Sequence, residues 1–224
     1  MLALANHSPE ATLLKPTRTL SLALAGSIAA LAVAAPSAGA GVLVASAPSC
    51  DQTLEQPFTR WGDNASYTLA PNGGFESGTT AWNVSGGAKA VAGNEPWYVR
   101  GAGDSHSLHL PRGSSATSGA VCVGLEHPAM RFFVRSRTSG LTGALLSSLR
   151  VDVRTETSLG LVASVPIALI TAKSKWQPSH RVLIVANLLP LLPGEHTPVA
   201  FRFTAQGPGE WWIDDVYVDP RGRR

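Results

Sequence analysis

Short stretches of alternating apolar and polar residues run through most of the chain, and the clearest one lies near its middle. Apolar and charged residues alternate without exception over residues 149–154, which predicts a strand whose apolar side chains face a core. The charged residues Arg150, Asp152 and Arg154 are predicted to face water. Residues 161–171 are predicted to return as a more buried strand, in which Pro166 favours an edge position or a bulge.

The same pattern predicts about ten short strands and no long helix. Turn residues separate the strands, and the 22 Gly and 16 Pro of the chain supply many of those turns. Residues 141–146 fit either a helical turn or a loop. Strands of this number and spacing are typical of an all-β fold, an antiparallel β-sandwich of the jelly-roll type. The predicted strands cover residues 81–84, 88–92, 97–100, 107–110, 120–125, 130–136, 149–154, 161–171, 181–186, 199–204 and 211–218.

The first forty residues differ in composition from the rest of the chain. Lys15 and Arg18 precede an apolar run at residues 20–35, and the small residues Ala38-Gly39-Ala40 follow it. A basic start, an apolar centre of about 15 residues and a small-residue cleavage site are typical of a signal peptide. The run is shorter than the ~20 residues needed to cross a bilayer. We therefore expect residues 1–40 to be cleaved and the protein to be secreted, with residues 45–47 offering a second possible cleavage site.

The remaining chain is predicted to divide into an N-terminal arm at residues 41–66, a β-sandwich at residues 67–220 and a basic tail at residues 221–224. The arm is rich in polar and turn residues, so Phe58 and Trp61 are expected to anchor it to the body. The net charge is only +3, and basic residues are scattered outside the tail. This charge pattern does not predict a nucleic-acid partner, and we expect the tail to be solvated.

Two cysteines, Cys50 and Cys122, follow the predicted signal peptide. An exported protein folds in a compartment that permits disulfides, so a bridge between the two is predicted. The bridge would close a loop of about 70 residues and stabilise the fold by roughly 4 kcal/mol. The alternative is two free thiols.

Signatures of hydrolases are absent from the sequence, which has neither a G-x-S-x-G turn nor an H-E-x-x-H helix. The six His are dispersed and lack the spacing of metal ligands. A glycosidase would require two carboxylates that folding brings together, such as Glu95 and Asp104, but the sequence gives this hypothesis no positive support. We therefore expect the protein not to be an enzyme.

Motifs at both ends of the predicted sandwich carry a resemblance to a known group. The opening segment is Asn72-Gly73-Gly74-Phe75-Glu76-Ser77-Gly78 with Trp82, residues 107–110 follow, and the closing segment is Trp212-Ile213-Asp214-Asp215-Val216. Over residues 67–219 these motifs resemble the jelly-roll carbohydrate-binding modules of the galactose-binding-like group. The whole chain is also similar to small exported actinobacterial proteins of unknown role.

The resemblance implies a structural calcium ion, with Glu76 and Asp214 as its ligands. The strand pattern agrees, because Asp214 alternates in step with Trp212, Val216 and Val218 and is therefore predicted to point inward. An inward carboxylate needs a cation or hydrogen-bond donors. The alternative is that Glu76 caps a turn and Asp214 accepts backbone hydrogen bonds.

Sugar binding requires exposed aromatic rings, and the best candidates are Trp97, Tyr98 and Trp176. Trp211 comes next, whereas the resemblance implies that Trp82 and Trp212 belong to the core. The predicted function is a secreted, non-catalytic module that binds a carbohydrate or another cell-envelope polymer. The alternative is a structural or adhesive extracellular protein that contacts other proteins and has no sugar groove. Exposure of the three candidate aromatics on one face would favour sugar binding.

Overall fold

The computed structural model describes residue 50 and residues 52–124, 127–156, 161–184 and 197–220. The predicted signal peptide and the basic tail lie outside the described residues. The described part contains thirteen strands, one short helix and one 3-10 turn. These elements are β1 Thr68–Leu69, β2 Trp82–Ser85, β3 Lys89–Ala92, β4 His106–Leu110, β5 Ser115–Ser118, β6 Val121–Val123, β7 Ala129–Arg137, β8 Ser148–Glu156, β9 Val162–Thr171, β10 Gln177–Pro178, β11 Val182–Leu183, β12 Thr197–Gln206 and β13 Glu210–Asp219, with the 3-10 turn at Thr59–Trp61 and helix α1 at Gly140–Leu145.

The strands form two antiparallel sheets, which confirms the predicted all-β sandwich. The seven-stranded sheet has the order β10-β7-β13-β4-β3, and in addition β1 pairs with β13 and β11 pairs with β7. The six-stranded sheet has the order β2-β5-β12-β8-β9, and β6 also pairs with β12. The closing strand β13 lies in the middle of the first sheet and contacts three other strands.

The main core lies between the inner faces of the two sheets. In β8, Leu149, Val151 and Val153 point into this core, as their alternation predicts. Asp152 lies on the opposite face, but it is almost fully buried because Arg150 lies across it, with Nη2 donating to Oδ1 at 2.6 Å. The prediction that Asp152 faces water is therefore wrong, since a long neighbouring side chain can cover a short carboxylate.

Two irregular segments show how local residues modify the predicted strands. Pro166 lies in the edge strand β9, beside a register shift in the pairing of β9 with β8, as expected for a residue without an N–H. The expectation that this strand is more buried than β8 is wrong, because an edge position leaves only Ile170 buried. Residues 97–100 were predicted as a strand, but they form turns instead. The carboxylate of Glu95 accepts hydrogen bonds from the backbone N–H groups of Trp97 and Val99, so this segment folds around a side chain rather than along a sheet.

The arm packs on the outer face of the seven-stranded sheet, where it forms a second apolar cluster. The buried members of this arm cluster are Phe58 of the arm, Tyr67 at the start of the sandwich, Phe133 of β7 and Tyr217 of β13. The four rings lie close together, and the ring centroid of Phe58 lies 5.2–5.8 Å from those of the other three. The predicted disulfide between Cys50 and Cys122 is present and ties the start of the described chain to β6.

Polar contacts hold the arm in the same position. Asp63 accepts a hydrogen bond from the hydroxyl of Tyr67 at 2.7 Å and an ion-paired one from Arg131 Nη1 at 2.8 Å. The guanidinium of Arg131 also donates to the carbonyl of Ser179 and lies 4.5 Å from the ring centroid of Phe58. Asp63 and Arg131 are thus paired with each other, which offsets the free energy cost of removing their charges from water.

The helix α1 crosses one end of the sandwich and contributes little to the core. Its residues Leu141 and Leu145, and Leu146 after it, are 76%, 77% and 65% exposed. Within the described ranges, we find no helix with the length and apolar character that crossing a membrane requires.

We predict that Phe58→Ala lowers the free energy of unfolding by about 3–5 kcal/mol, because truncation leaves a cavity among three aromatic rings. The thermal midpoint should fall by roughly 6–20 °C. The matched control is Leu54→Ala, which truncates an arm residue that is 43% exposed and should change stability by no more than about 0.5 kcal/mol. Equal melting of the two variants would show that the arm cluster does not anchor the arm.

Candidate functional site

The closing strand β13 contains a bulge that changes which side chains face the core. Trp211 and Ile213 point into the core before the bulge, and Val216 and Val218 point into it afterwards. The pairing of β13 with β7 shifts register between Asp214 and Tyr217. The prediction that Asp214 points to the same side of the strand as Val216 and Val218 is therefore wrong. One extra residue in the strand reverses the alternation of side chains beyond it. Asp215 at the bulge has a φ of 47°, a left-handed conformation that Asp adopts more readily than most residues.

Four carboxylates converge at this bulge, and we call them the acidic cluster: Glu95, Asp104, Asp214 and Asp215. All four are buried. Oxygen atoms of Glu95, Asp104 and Asp215 lie within 4.8 Å of one another, which is close enough for a single metal ion to contact all three. The chain folds to this point from two distant regions, the loop of residues 93–104 and the closing strand.

Backbone N–H groups hold two of the carboxylates in place. Glu95 accepts from Trp97 and from Val99, and its own N–H donates to Asp214 Oδ2 at 3.3 Å. Asp214 Oδ1 accepts the N–H of Asp215 at 2.9 Å. These bonds connect the loop directly to the bulge.

Among the described residues, one cation reaches the cluster. Arg100 Nη1 lies 3.4 Å from Asp104 Oδ1, and Arg100 Nε lies 3.9 Å from Asp215 Oδ1. The opening segment closes over this pair: a Cβ at Gly74 would collide with Arg100 Nη1 and lie 3.0 Å from Asp215 Oδ1. The backbone of Gly73 also lies against β13, because its carbonyl accepts a hydrogen bond from the N–H of Val216 at 3.0 Å. A larger residue at position 74 would displace the guanidinium of Arg100 from its place beside Asp215.

Burial and mutual repulsion oppose ionisation of the aspartates in the cluster. Burial raises the pKa of Asp104 to about 6. Burial also raises the pKa of Asp214, with further contributions from the charges of Asp215 and Asp104. The pKa of Asp215 is raised by burial and by Asp104, while Arg100 acts in the opposite direction. One guanidinium therefore does not compensate four carboxylates.

The donor set of the cluster fits a hard cation. Both carboxylate oxygens of Asp215 and the Oδ2 of Asp104 are buried and accept no hydrogen bond from the described residues. Buried acceptors of this kind are costly unless something coordinates them. Carboxylate oxygens are the ligands that Ca²⁺ and Mg²⁺ prefer, whereas zinc and copper favour nitrogen and sulfur. Glu95, Asp104 and Asp215 are thus the residues that would hold such an ion.

Neither ligand that the resemblance implies belongs to the triad, but both adjoin it, and in addition to burial Glu76 helps to raise the pKa of Asp104. Glu76 lies outside the triad and accepts four hydrogen bonds, from the N–H and hydroxyl of Ser105 and from the N–H and Nδ1 of His106, at 2.7–3.0 Å. Although burial disfavours its charge, these donors lower the pKa of Glu76 to about 2. Asp214 lies beside the triad and accepts two backbone hydrogen bonds. Sequence reasoning named Glu95 and Asp104 as a pair, but nothing in their spacing signalled that Asp215 would join them.

The three predicted sugar-binding aromatics lie near the arm cluster. Trp97 is half-buried, with its ring centroid 5.1 Å from that of Trp61 and 5.4 Å from that of Phe133. Trp176 is half-buried against the same cluster. Tyr98 follows Trp97 in the turn, where it has a φ of 51° and is 53% exposed.

The other tryptophans divide between the core and the outer face. Trp82 belongs to the core as expected, whereas Trp211 is fully buried and was wrongly proposed as a ligand contact. Trp212 was expected in the core but lies on the outer face of the seven-stranded sheet, because its neighbours Trp211 and Ile213 take the inward positions. There it stacks on His109 at 4.6 Å between ring centroids, and the guanidinium of Arg135 lies 4.2 Å from its own centroid.

No protein-family model and no curated protein matches the chain. The chain is similar to solved structures, among them TmCBM61 in complex with β-1,4-galactotriose, with 16% identity, coverage of 67% of this chain and 96% of the other, and a TM-score of 0.40. A second is the CBM22-1 xylan-binding domain of Xyn10C from Paenibacillus barcinonensis, with 16% identity, 70% and 94% coverage and a TM-score of 0.45. A third is the arabinose-bound α-L-arabinofuranosidase MgGH51, with 18% identity, 70% and 27% coverage and a TM-score of 0.45. Likeness of this extent carries no argument about what the chain binds.

We predict that the protein in chelator is more stable at pH 5 than at pH 7.5. The aspartates of the acidic cluster keep their protons to higher pH in the folded state than in the unfolded state, so folding takes up protons. The free energy of unfolding should therefore fall as the pH rises above about 4, by on the order of 1 kcal/mol per pH unit. Glu76 does not change the difference in free energy of unfolding between pH 5 and pH 7.5. Its lowered pKa stabilises the fold, and this stabilisation is complete above about pH 5. The measurement is urea unfolding at both pH values, and equal or greater stability at pH 7.5 would contradict the proposed burial.

Proposed function

We propose that the protein is a secreted, non-catalytic module that binds a carbohydrate on the outer face of its seven-stranded sheet. We further propose that calcium occupies the acidic cluster as a structural ion. The observation that carries the sugar-binding proposal is the unequal distribution of aromatic rings between the two outer faces.

The outer face of the seven-stranded sheet bears indole rings with polar neighbours. Trp97 and Trp176 are partly exposed there and border the arm cluster. Trp212 lies further along the same face, covered by His109 and Arg135. In the described part of the chain, the outer face of the six-stranded sheet bears polar, charged and aliphatic side chains and no ring. Examples are Asn83, Ser115, Thr117, Arg150, Arg154, Arg202 and Thr204. Partly exposed aromatic rings beside polar groups are the surfaces on which apolar faces of sugars stack.

The calcium proposal is supported by charge and by unmet hydrogen-bonding capacity. Four buried carboxylates face one guanidinium, and the Asp215 oxygens accept no hydrogen bond from the described residues. Flexible oxygen coordination by several carboxylates is the arrangement that Ca²⁺ accepts. An ion here would hold the loop of residues 93–104 against β13, and this loop carries Trp97 and Tyr98.

The convergent carboxylates support a non-catalytic role. Glu95 and Asp104 do meet, as a glycosidase would require, but both are buried and the two Glu95 oxygens are engaged by backbone donors. Glu76, Ser105 and His106 also meet, but the serine hydroxyl and the carboxylate both contact Nδ1 of the imidazole. A nucleophile and an orienting acid must bond opposite ring nitrogens, so this group does not have the arrangement of a catalytic triad.

Secretion is supported by the disulfide, because such a bridge persists in oxidising compartments. The sequence of the first forty residues supports the same proposal. An extracellular glycan or envelope polymer is the partner that such a location would offer.

A second candidate function, contact with another protein, is favoured by a separate observation. Leu141, Leu145 and Leu146 lie together at and just after helix α1 and are mostly exposed. Clustered exposed leucines can mark a surface that another molecule covers. In that case the protein would be structural or adhesive, and substitution of these leucines, rather than of the tryptophans, would abolish its interaction.

We predict that calcium stabilises the protein through the acidic cluster. At 100 times its dissociation constant, calcium should add about 2.7 kcal/mol and raise the thermal midpoint by roughly 5–11 °C. Asp215→Asn should remove this shift. The control Asp152→Asn alters a buried aspartate in the other sheet and should keep it. A midpoint that is indifferent to calcium and to chelator would overturn the ion proposal and leave the sugar proposal standing.

We predict that at least one polysaccharide in a panel of neutral and acidic glycans binds the calcium-loaded protein. Trp176→Ala and Tyr98→Ala should each weaken that binding by about tenfold or more, since loss of a central aromatic contact costs more than about 1.4 kcal/mol. Titration calorimetry gives the affinities, and thermal melts verify that the variants fold. Leu169→Ala, on the edge of the other sheet, should have no effect. Absence of binding across the panel would favour the protein-contact function.

A further inference from the structure

A row of basic and aromatic side chains crosses the outer face of the seven-stranded sheet. In register, Lys89 of β3 lies opposite His109 of β4, His109 opposite Trp212 of β13, and Trp212 opposite Arg135 of β7. Trp176 comes next, directly before β10, and the guanidinium of Arg135 lies 5.3 Å from its ring centroid. We call these five residues the basic row.

The aromatic rings of the row already have polar partners. Trp212 is only 9% exposed, because His109 stacks on it and Arg135 lies over it. It therefore offers no bare face to a neutral sugar ring. Arg135 instead lies between two indoles, and such contacts orient a guanidinium while leaving its hydrogen-bond donors available.

The positive charge of the row is incompletely compensated. Within the described residues Arg135 forms no ion pair, and its buried Nε donates no hydrogen bond, so a ligand can reach only Nη1 and Nη2. Burial, together with the nearby charge of Arg137, lowers the pKa of Arg135. Of the carboxylates in the described part of the chain, Glu210 contacts this part of the face: it bonds Arg137 at 2.7 Å and lies 3.4 Å from His109 Nε2. Lys89 is exposed at the far end of the row, where the described residues give it no ion pair.

We propose that the basic row binds an acidic polysaccharide whose sugar rings carry carboxylates. This deepens the proposed function, on which it rests. A carboxylate accepts two parallel hydrogen bonds from a guanidinium fork, so it suits the paired Nη1 and Nη2 donors of Arg135. Lys89 and Arg135 are three strand spacings apart, about 14 Å along the sheet, so an extended polymer contacts both whereas a single sugar does not.

The test compares binding of oligogalacturonate with binding of the same oligomer after methyl esterification, which keeps the sugar backbone and removes the charge. Titration calorimetry at low salt should show the charged form binding about tenfold tighter or more, as expected for a charge-assisted hydrogen bond of about 1.5–3 kcal/mol. Added salt should weaken the charged form selectively.

Two surface substitutions locate the site. Lys89→Gln alters the row itself, and Arg137→Gln alters a neighbour whose guanidinium lies 5.7 Å from the ring centroid of Trp212. Each should weaken binding of the charged oligomer about three- to tenfold and leave the esterified oligomer unaffected. Both side chains are exposed, with that of Arg137 at 73%, so the variants should fold, which thermal melts verify. Arg135→Gln should have a larger effect. The control Arg202→Gln removes an exposed arginine from the other sheet and should change nothing.

Several results would overturn the proposal. Equal or tighter binding of the esterified oligomer, or of neutral xylan or galactan, would reject the acidic ligand and leave the sugar-binding function intact. A preference for a sulfated glycan or a phosphate-bearing wall polymer of equal charge would reject the carboxylate. Equal weakening by Arg202→Gln would show attraction by net charge without a site. Absence of binding to any glycan would overturn the proposed function together with this inference.

Discussion

The burial of Asp214 and Asp215 side by side in the central strand β13 is the constraint on which the rest of this structure depends. A carboxylate removed from water must be hydrogen-bonded, paired, protonated or coordinated. The chain meets part of this requirement by wrapping the loop of residues 93–104 around the bulge, which brings Glu95, Asp104 and Arg100 to the same point. The added acids increase the negative charge, which the single guanidinium of Arg100 does not balance.

The same constraint shapes the start of the sandwich. The opening segment must pass close enough for the Gly73 carbonyl to accept a hydrogen bond from Val216, and Gly74 must leave space for Arg100. The first and last parts of the sandwich are thereby joined around one polar centre, while the apolar core lies on the other side of β13. Loss of one carboxylate would affect three chain segments at once.

The arm divides the outer face of the seven-stranded sheet into two regions. Its aromatic cluster and the ion pair of Asp63 with Arg131 cover one region. The basic row lies in the other region, where the guanidinium of Arg135 contacts the rings of Trp176 and Trp212. Acidic groups are concentrated at the bulge and basic groups along the row, so the two sites differ in the sign of their charge.

Sequence patterns by themselves determined the antiparallel sandwich, the inward residues of β8, the bridge between Cys50 and Cys122 and the edge position of Pro166. Each of these follows from local alternation, from the absence of an N–H in proline or from a cysteine count. Only the tertiary structure decided which carboxylates meet and which tryptophan lies outside. The bulge at Asp215 reverses the alternation of inward and outward side chains in β13, and no residue type in the sequence predicts it. As a result Trp211 is in the core and Trp212 is on the outer face, the opposite of what was expected. The meeting of Glu95 and Asp104 with Asp215 depends on contacts more than a hundred residues apart, which no local pattern encodes.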